Sequence, residues 1–142
     1  MSESENKNMT YTTQRKVRFE HCDPAGIVFY PRYFEMINAT VEDWFEEVVQ
    51  SGFNQLVASG RSVPTVAIET QFHAPSRLGE NLAFHLVPLH AGRTSLKLEI
   101  TATSKEQNRL TCQVTVVLID LTTGRPLPWP ETMRQHFSRN DT

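Results

Sequence analysis

His21-Cys22-Asp23-Pro24-Ala25-Gly26-Ile27-Val28-Phe29-Tyr30-Pro31-Arg32-Tyr33-Phe34 is the stretch on which the reading of this chain turns. Asp23 is followed at once by Pro24, and Gly26 supplies the backbone freedom of a tight turn. Tyr30-Pro31 marks a helix entrance, because proline suits the first helical position, where no N–H partner is required. The pattern sets a carboxylate beside free backbone N–H groups at the positive end of a helix dipole. An acid next to an oxyanion-binding helix end is what acyl transfer to water needs.

Working outward, the segment from Pro31 to Gln50 reads as one long amphipathic helix ended by Ser51-Gly52. Phe34, Ile37, Val41, Trp44, Phe45 and Val48 recur at spacings of three and four, while Glu35, Asn38, Glu42, Glu46 and Gln50 fall on another face. A short helical turn is expected over Phe53 to Ser59, before Gly60. Upstream, Tyr11 to Glu20 alternates as a half-exposed strand, with Arg15, Val17 and Phe19 on one face.

Four more strands are expected downstream, over Pro64–His73, Asn81–Leu89, Thr94–Thr103 and Leu110–Leu121. Pro88 predicts an edge or a bulge in the second of these. Leu110–Leu121 is apolar on both faces in its middle, so it is the candidate central strand. Turn chemistry separates the strands at Leu78-Gly79-Glu80-Asn81, Ala91-Gly92-Arg93, Glu106-Gln107-Asn108 and Thr123-Gly124-Arg125. A last short helix is expected from about Glu131 to Phe137. One strand, a long helix and then four strands predict an α+β fold with the helix packed on a five-stranded antiparallel sheet.

The 142 residues fit one domain, expected over residues 11–138 behind a flexible N-terminal segment, 1–10, with a second loose end at 139–142. Lys and Arg number 14 against 16 Asp and Glu, with no basic block, so neither a nucleic-acid partner nor a polybasic membrane patch is indicated. No apolar run approaches the roughly 18 residues of a membrane span, and the polar start is unlike a secretory signal. With Cys22 and Cys112 its only cysteines, the chain shows no disulfide framework. These features together predict a cytoplasmic protein. His21, His73, His85, His90 and His136 show no His-x-x-x-His or Cys-x-x-Cys spacing, so no metal and no cofactor is called for.

Motif and element order together resemble the hotdog-fold thioesterases, and among them the 4-hydroxybenzoyl-CoA thioesterase family with an Asp on the turn before the helix. The run from Phe19 to Tyr33 carries the likeness, although His21 stands where the family often has an acid. The resemblance implies a long central helix wrapped by the sheet, and a homodimer or a homotetramer built as a dimer of dimers. It implies active sites between subunits that accept an acyl-CoA. It makes Asp23 the catalytic carboxylate and the backbone N–H of Tyr30 the donor to the thioester carbonyl. Related members carry His where this chain has Tyr30, which points to the aryl-acyl branch. Gly26 serves the backbone beside the substrate, and Arg93, after a Gly turn, matches a basic contact to the CoA phosphates. Arg61, Arg77 and Arg125 are weaker candidates for that contact.

Each assignment has a plainer rival. Asp-Pro is common in ordinary loops, Tyr30 can be a packing residue, and an exposed arginine is commonly a solvated charge. Asp23 can attack the thioester itself, forming a mixed anhydride that water opens, or it can draw a proton from an attacking water. Aliphatic or carrier-protein-bound acyl chains are the alternative substrates, and a non-hydrolytic acyl-CoA binding hotdog protein is the alternative class. A hydratase would require a His on the reactive helix, and none falls between His21 and His73.

Overall fold

A computed structural model of the protein describes residues 10–137. The expected flexible ends lie outside the described residues, apart from Thr10. Strands β1 (Tyr11–Lys16), β3 (Thr65–Phe72), β4 (Asn81–Ala91), β5 (Ser95–Ser104) and β6 (Gln107–Val117) form one antiparallel sheet in the order β1-β4-β5-β6-β3. Two short strands, β2 (Arg61–Ser62) and β7 (Ile119–Asp120), pair separately. Helix α1 (Pro31–Trp44) continues into a wider π turn, Phe45–Val49, and is followed by α2 (Phe53–Ala58) and, near the C-terminus, α3 (Glu131–Arg134).

Period explains what goes inside. Along β4, β5 and β6 alternate residues are sealed from solvent: Leu82, Phe84 and Leu86, then Leu96, Leu98 and Ile100, then Leu110, Cys112 and Val114. Helix α1 turns Tyr33, Met36, Ile37, Thr40, Val41 and Trp44 toward that face. Each large apolar side chain so buried contributes about 1.5–3 kcal/mol. Trp44, Phe45, Trp129 and Phe137 close the far end of the core, with Trp129 and Phe137 at a centroid distance of 4.8 Å and Trp44 and Phe137 at 5.9 Å.

Several expectations are corrected. The middle strand is β5, whereas β6 is internal with one polar face bearing Thr111, Gln113 and Thr115. Phe19 does not share the buried face of Val17: the chain leaves the strand in a 3-10 turn, Phe19–His21, and Phe19 is 83% exposed. Helix termination falls on Gln50, left-handed at φ 60°, and Gly52 instead opens α2. The β5–β6 hairpin turns at Lys105 and Glu106, both at positive φ, so β6 starts earlier than its composition suggested. Pro88 marks a bulge, as anticipated, where Leu89 is the extra residue between the pairs Pro88–Leu98 and His90–Lys97.

Strand β3 is the sheet edge opposite β1, and its apolar residues Val66, Ile68 and Phe72 are all about half exposed. Among the described residues, no helix is long and apolar enough to cross a membrane.

Candidate active site

After β1 the chain folds into a small hairpin around the motif. Cys22 pairs with Val28, the Asp23 N–H donates to the Ile27 carbonyl at 3.0 Å, and the Gly26 N–H donates to the Asp23 carbonyl at 2.9 Å. Aspartate first, proline second and a left-handed glycine fourth suit this turn. Gly26 sits at φ +79° with open space where a Cβ would stand, so its requirement is conformational rather than steric. The Asp23 Oδ1 accepts the Ala25 N–H at 2.9 Å. No donor among the described residues reaches Oδ2, so one carboxylate oxygen fixes the side chain and the other stays available.

Tyr30 caps helix α1, with Pro31 at the first helical position as expected. The N–H groups of Arg32 and Tyr33 already close turns onto Phe29 and Tyr30, at 2.8 and 3.1 Å. The Tyr30 N–H has no acceptor among the described residues, which leaves it the open donor at the helix entrance. The ring of Tyr30 is 59% exposed and meets Phe29 and Phe72 edge-on at 5.7 and 6.1 Å. Tyr33 and Phe34 also contact Phe72. A hollow of about 310 Å³ opens here, lined by Ile27, Val28, Tyr30, Tyr33, Phe72 and Ala74 among others. Tyr30 lines it, while Asp23 and Gly26 stand outside it in the same short segment.

Arg93 is placed elsewhere. Its exposed side chain follows β4, whereas the Asp23 hairpin lies beside the start of β4, where Leu78 N–H reaches the Gly26 carbonyl at 3.0 Å. The length of β4 puts roughly 30 Å between them within one chain. Arg77 is much nearer, bridging directly to Ile27 with an exposed side chain.

An arginine absent from the sequence reading braces this site. Arg109 is 3% exposed and grips Glu80 with both arms of its guanidinium, at 2.8 and 3.1 Å. It also donates to the Pro75 carbonyl at 3.0 Å and to Ser76 Oγ at 3.2 Å. Hydrogen bonds from Arg109, then from the Arg77 N–H, hold the Glu80 carboxyl down at about 2. Arg109 turns inward because it is the extra residue of a bulge: Ala102 pairs with Leu110 and Thr103 with Asn108, which leaves Arg109 unopposed. A strict alternation of faces would aim it outward, so the sequence carried no signal for it.

The remaining candidates take quiet positions. His21 Nδ1 accepts the Arg18 N–H at 2.8 Å, which puts the proton of the neutral ring on Nε2. His85 lies between Thr12 and Thr103, and burial lowers its pKa. Cys112 is buried, with its thiol pKa raised by that burial, and Cys22 is a half-buried free thiol. Among the described residues, no group of three or more His, Cys, Asp or Glu is placed to hold a metal ion.

A helix end with an open donor, an acid on the preceding turn and a helix laid across a five-stranded sheet define a class. The chain belongs to the thioesterase-like superfamily, whose family model matches residues 17–137, and it is a thioester hydrolase of the hotdog type. Among its relatives is a 1,4-dihydroxy-2-naphthoyl-CoA hydrolase from Synechocystis, 26% identical over 86% of this chain and 90% of that protein. The solved structure of a 1,4-dihydroxy-2-naphthoyl-CoA thioesterase from Synechocystis superposes with a TM-score of 0.84 at 22% identity, covering 94% of this chain and 98% of the other. A gentisyl-coenzyme A thioesterase structure gives 0.79 at 21% identity, covering 89% of this chain and 98% of that one.

Proposed function

We propose that this thioester hydrolase is a cytoplasmic enzyme that cleaves an aromatic acyl-CoA, of the hydroxybenzoyl or a larger hydroxyaryl type, to the free acid and CoA. The observation that carries the reading is the Asp23 carboxylate, fixed through one oxygen with the other open, on the turn that leads to the unpaired Tyr30 N–H. The aromatic lining by Tyr30, Tyr33 and Phe72 favours a flat acyl group over an aliphatic chain. Relatives named for naphthoyl and gentisyl thioesters point the same way.

In this mechanism the thioester carbonyl oxygen accepts the Tyr30 N–H, and that bond strengthens as the oxygen gains charge. One such donor is worth about 2.7–4 kcal/mol in other acyl-transfer sites. Asp23 either attacks the carbonyl carbon, expelling CoA thiolate to leave an anhydride that water opens, or takes the proton of the attacking water. Gly26 keeps the turn compact beside the substrate. The thiolate is a good leaving group and needs no strong acid.

The active site is completed in this reading by a second copy. Strand β3 has an unpaired edge beside half-exposed Val66, Ile68 and Phe72, and pairing it with its twin gives a homodimer that extends the sheet. Phe72 belongs both to that edge and to the hollow at Tyr30, so the interface walls the acyl site. Arg93, distant from Asp23 in its own chain, contacts the CoA phosphates from another subunit, and two dimers associate as a tetramer. Thiol release across hydroxybenzoyl, dihydroxybenzoyl, dihydroxynaphthoyl, phenylacetyl and short aliphatic CoA thioesters tests the substrate class. Hydroxyaryl thioesters are expected to give the highest kcat/KM, and an aliphatic optimum would overturn the aromatic reading.

A further inference from the structure

We propose that Glu80 and Arg109 are positioning residues for Asp23: their ion pair clamps the 75–80 loop, and that loop holds the chain on both sides of the turn carrying the carboxylate. The inference rests on the catalytic reading of Asp23 and adds to it the part that fixes the acid in place.

Two sets of bonds meet in this loop. On its inner side Arg109, presented by the bulge in β6, binds both Glu80 oxygens, the Pro75 carbonyl and Ser76 Oγ. Glu80 Oε1 also takes the Arg77 N–H at 2.7 Å, and Lys105 approaches Oε2 at 3.5 Å. On its outer side the loop is bonded to the segment bearing the motif. Val17 N–H reaches the Glu80 carbonyl at 2.8 Å, and Gly79 N–H returns to the Val17 carbonyl at 2.9 Å. Beyond the turn, Val28 N–H donates to the Ser76 carbonyl at 2.9 Å and Leu78 N–H to the Gly26 carbonyl at 3.0 Å.

Asp23 therefore has its carboxylate on a hairpin whose neighbours at 17, 26 and 28 are all tied to one loop. That loop in turn is tied to the sheet through Arg109. The hairpin itself supplies only local bonds around Asp23, so its position relative to helix α1 depends on this clasp. The geometry suits a catalytic turn: a carboxylate about 1 Å out of place can cost on the order of a hundredfold in rate.

Glu80→Gln keeps the size of the side chain and removes its charge, and Arg109→Lys keeps a charge but loses the fork that binds both Glu80 oxygens and three further acceptors. Both variants should remain folded at pH 7, with amide exchange at Leu98 and Ile100 in the central strand rising by no more than the loss of global stability. Amide exchange at Val28 and Leu78 should accelerate in both. On the best acyl-CoA, kcat should fall about tenfold or more while KM stays within about twofold, the pattern of a lost transition-state arrangement.

Asp23→Asn is measured alongside to separate the two ideas. If Asp23→Asn is inactive and either clasp variant holds wild-type kcat, the positioning role is overturned. Unchanged exchange at Val28 and Leu78 overturns it as well, whatever the activity. If Asp23→Asn is fully active, the catalytic reading falls, and the positioning role falls with it.

Discussion

Replacing Glu80 by Gln should cost stability in a way that depends on pH. Arg109 and the Arg77 N–H hold the Glu80 carboxyl at about 2, against 4.5 for the free side chain. At 1.36 kcal/mol per unit, that gap corresponds to roughly 3 kcal/mol favouring the folded state once both states are ionised. The Glu80 side chain is 12% exposed, so solvent screening removes little of this. Because the folded pKa is depressed, the contribution is complete above 4.5 and declines as pH falls through the window down to about 2. About 2 of those 3 kcal/mol should be gone by pH 3. Urea unfolding of wild type and Glu80→Gln at pH 7, 5, 4 and 3 measures the difference directly. The gap should be widest at pH 7 and shrink on acidification. A gap that stays constant from pH 7 to pH 3 would refute the argument, since it would show that the charge of Glu80 does not contribute.

Three further outcomes are expected elsewhere in the molecule. Phe137→Ala should destabilise by about 3–5 kcal/mol in urea, because the ring is 1% exposed and packs between Trp44 and Trp129. Glu106→Gly should raise stability by about 1 kcal/mol, because Glu106 holds φ 60° in a two-residue hairpin where glycine carries no such penalty. Ile68→Lys, which puts a charge on the exposed edge strand, should dissociate the proposed β3-paired dimer and lower the mass seen in sedimentation; an unchanged mass would remove β3 from the proposed interface.

What the sequence disclosed follows from where local rules operate. The tight turn at Asp23, the proline entrance to α1 and the alternation of β4, β5 and β6 are written in neighbouring residues, and the structure has all of them, whereas β3 is exposed along both faces. Departures occur where tertiary structure overrides a local preference. Glycine is the usual left-handed helix stop, yet Gln50 takes that role because burial of Phe45 and Val49 in the π turn sets where the chain leaves the helix. Phe19 continues the alternation on paper, but the 3-10 turn capped by His21 lifts it into solvent. Arg109 is the most consequential omission. A one-residue bulge reverses its face, and nothing in the flanking sequence announces a bulge. Arg93 illustrates the opposite limit: its turn was legible, but its remoteness from Asp23 depends on strand pairing across the whole sheet.

Turnover of Asp23→Asn tests the account most directly. The substitution preserves the shape of the side chain and the acceptor for the Ala25 N–H, while removing the charge that either hydrolytic route requires. With the preferred hydroxyaryl-CoA, thiol release should fall by about a thousandfold or more, with substrate binding and the unfolding midpoint close to wild type. Release within a few-fold of wild type would contradict the central claim, because the carboxylate would then be a turn former and nothing more.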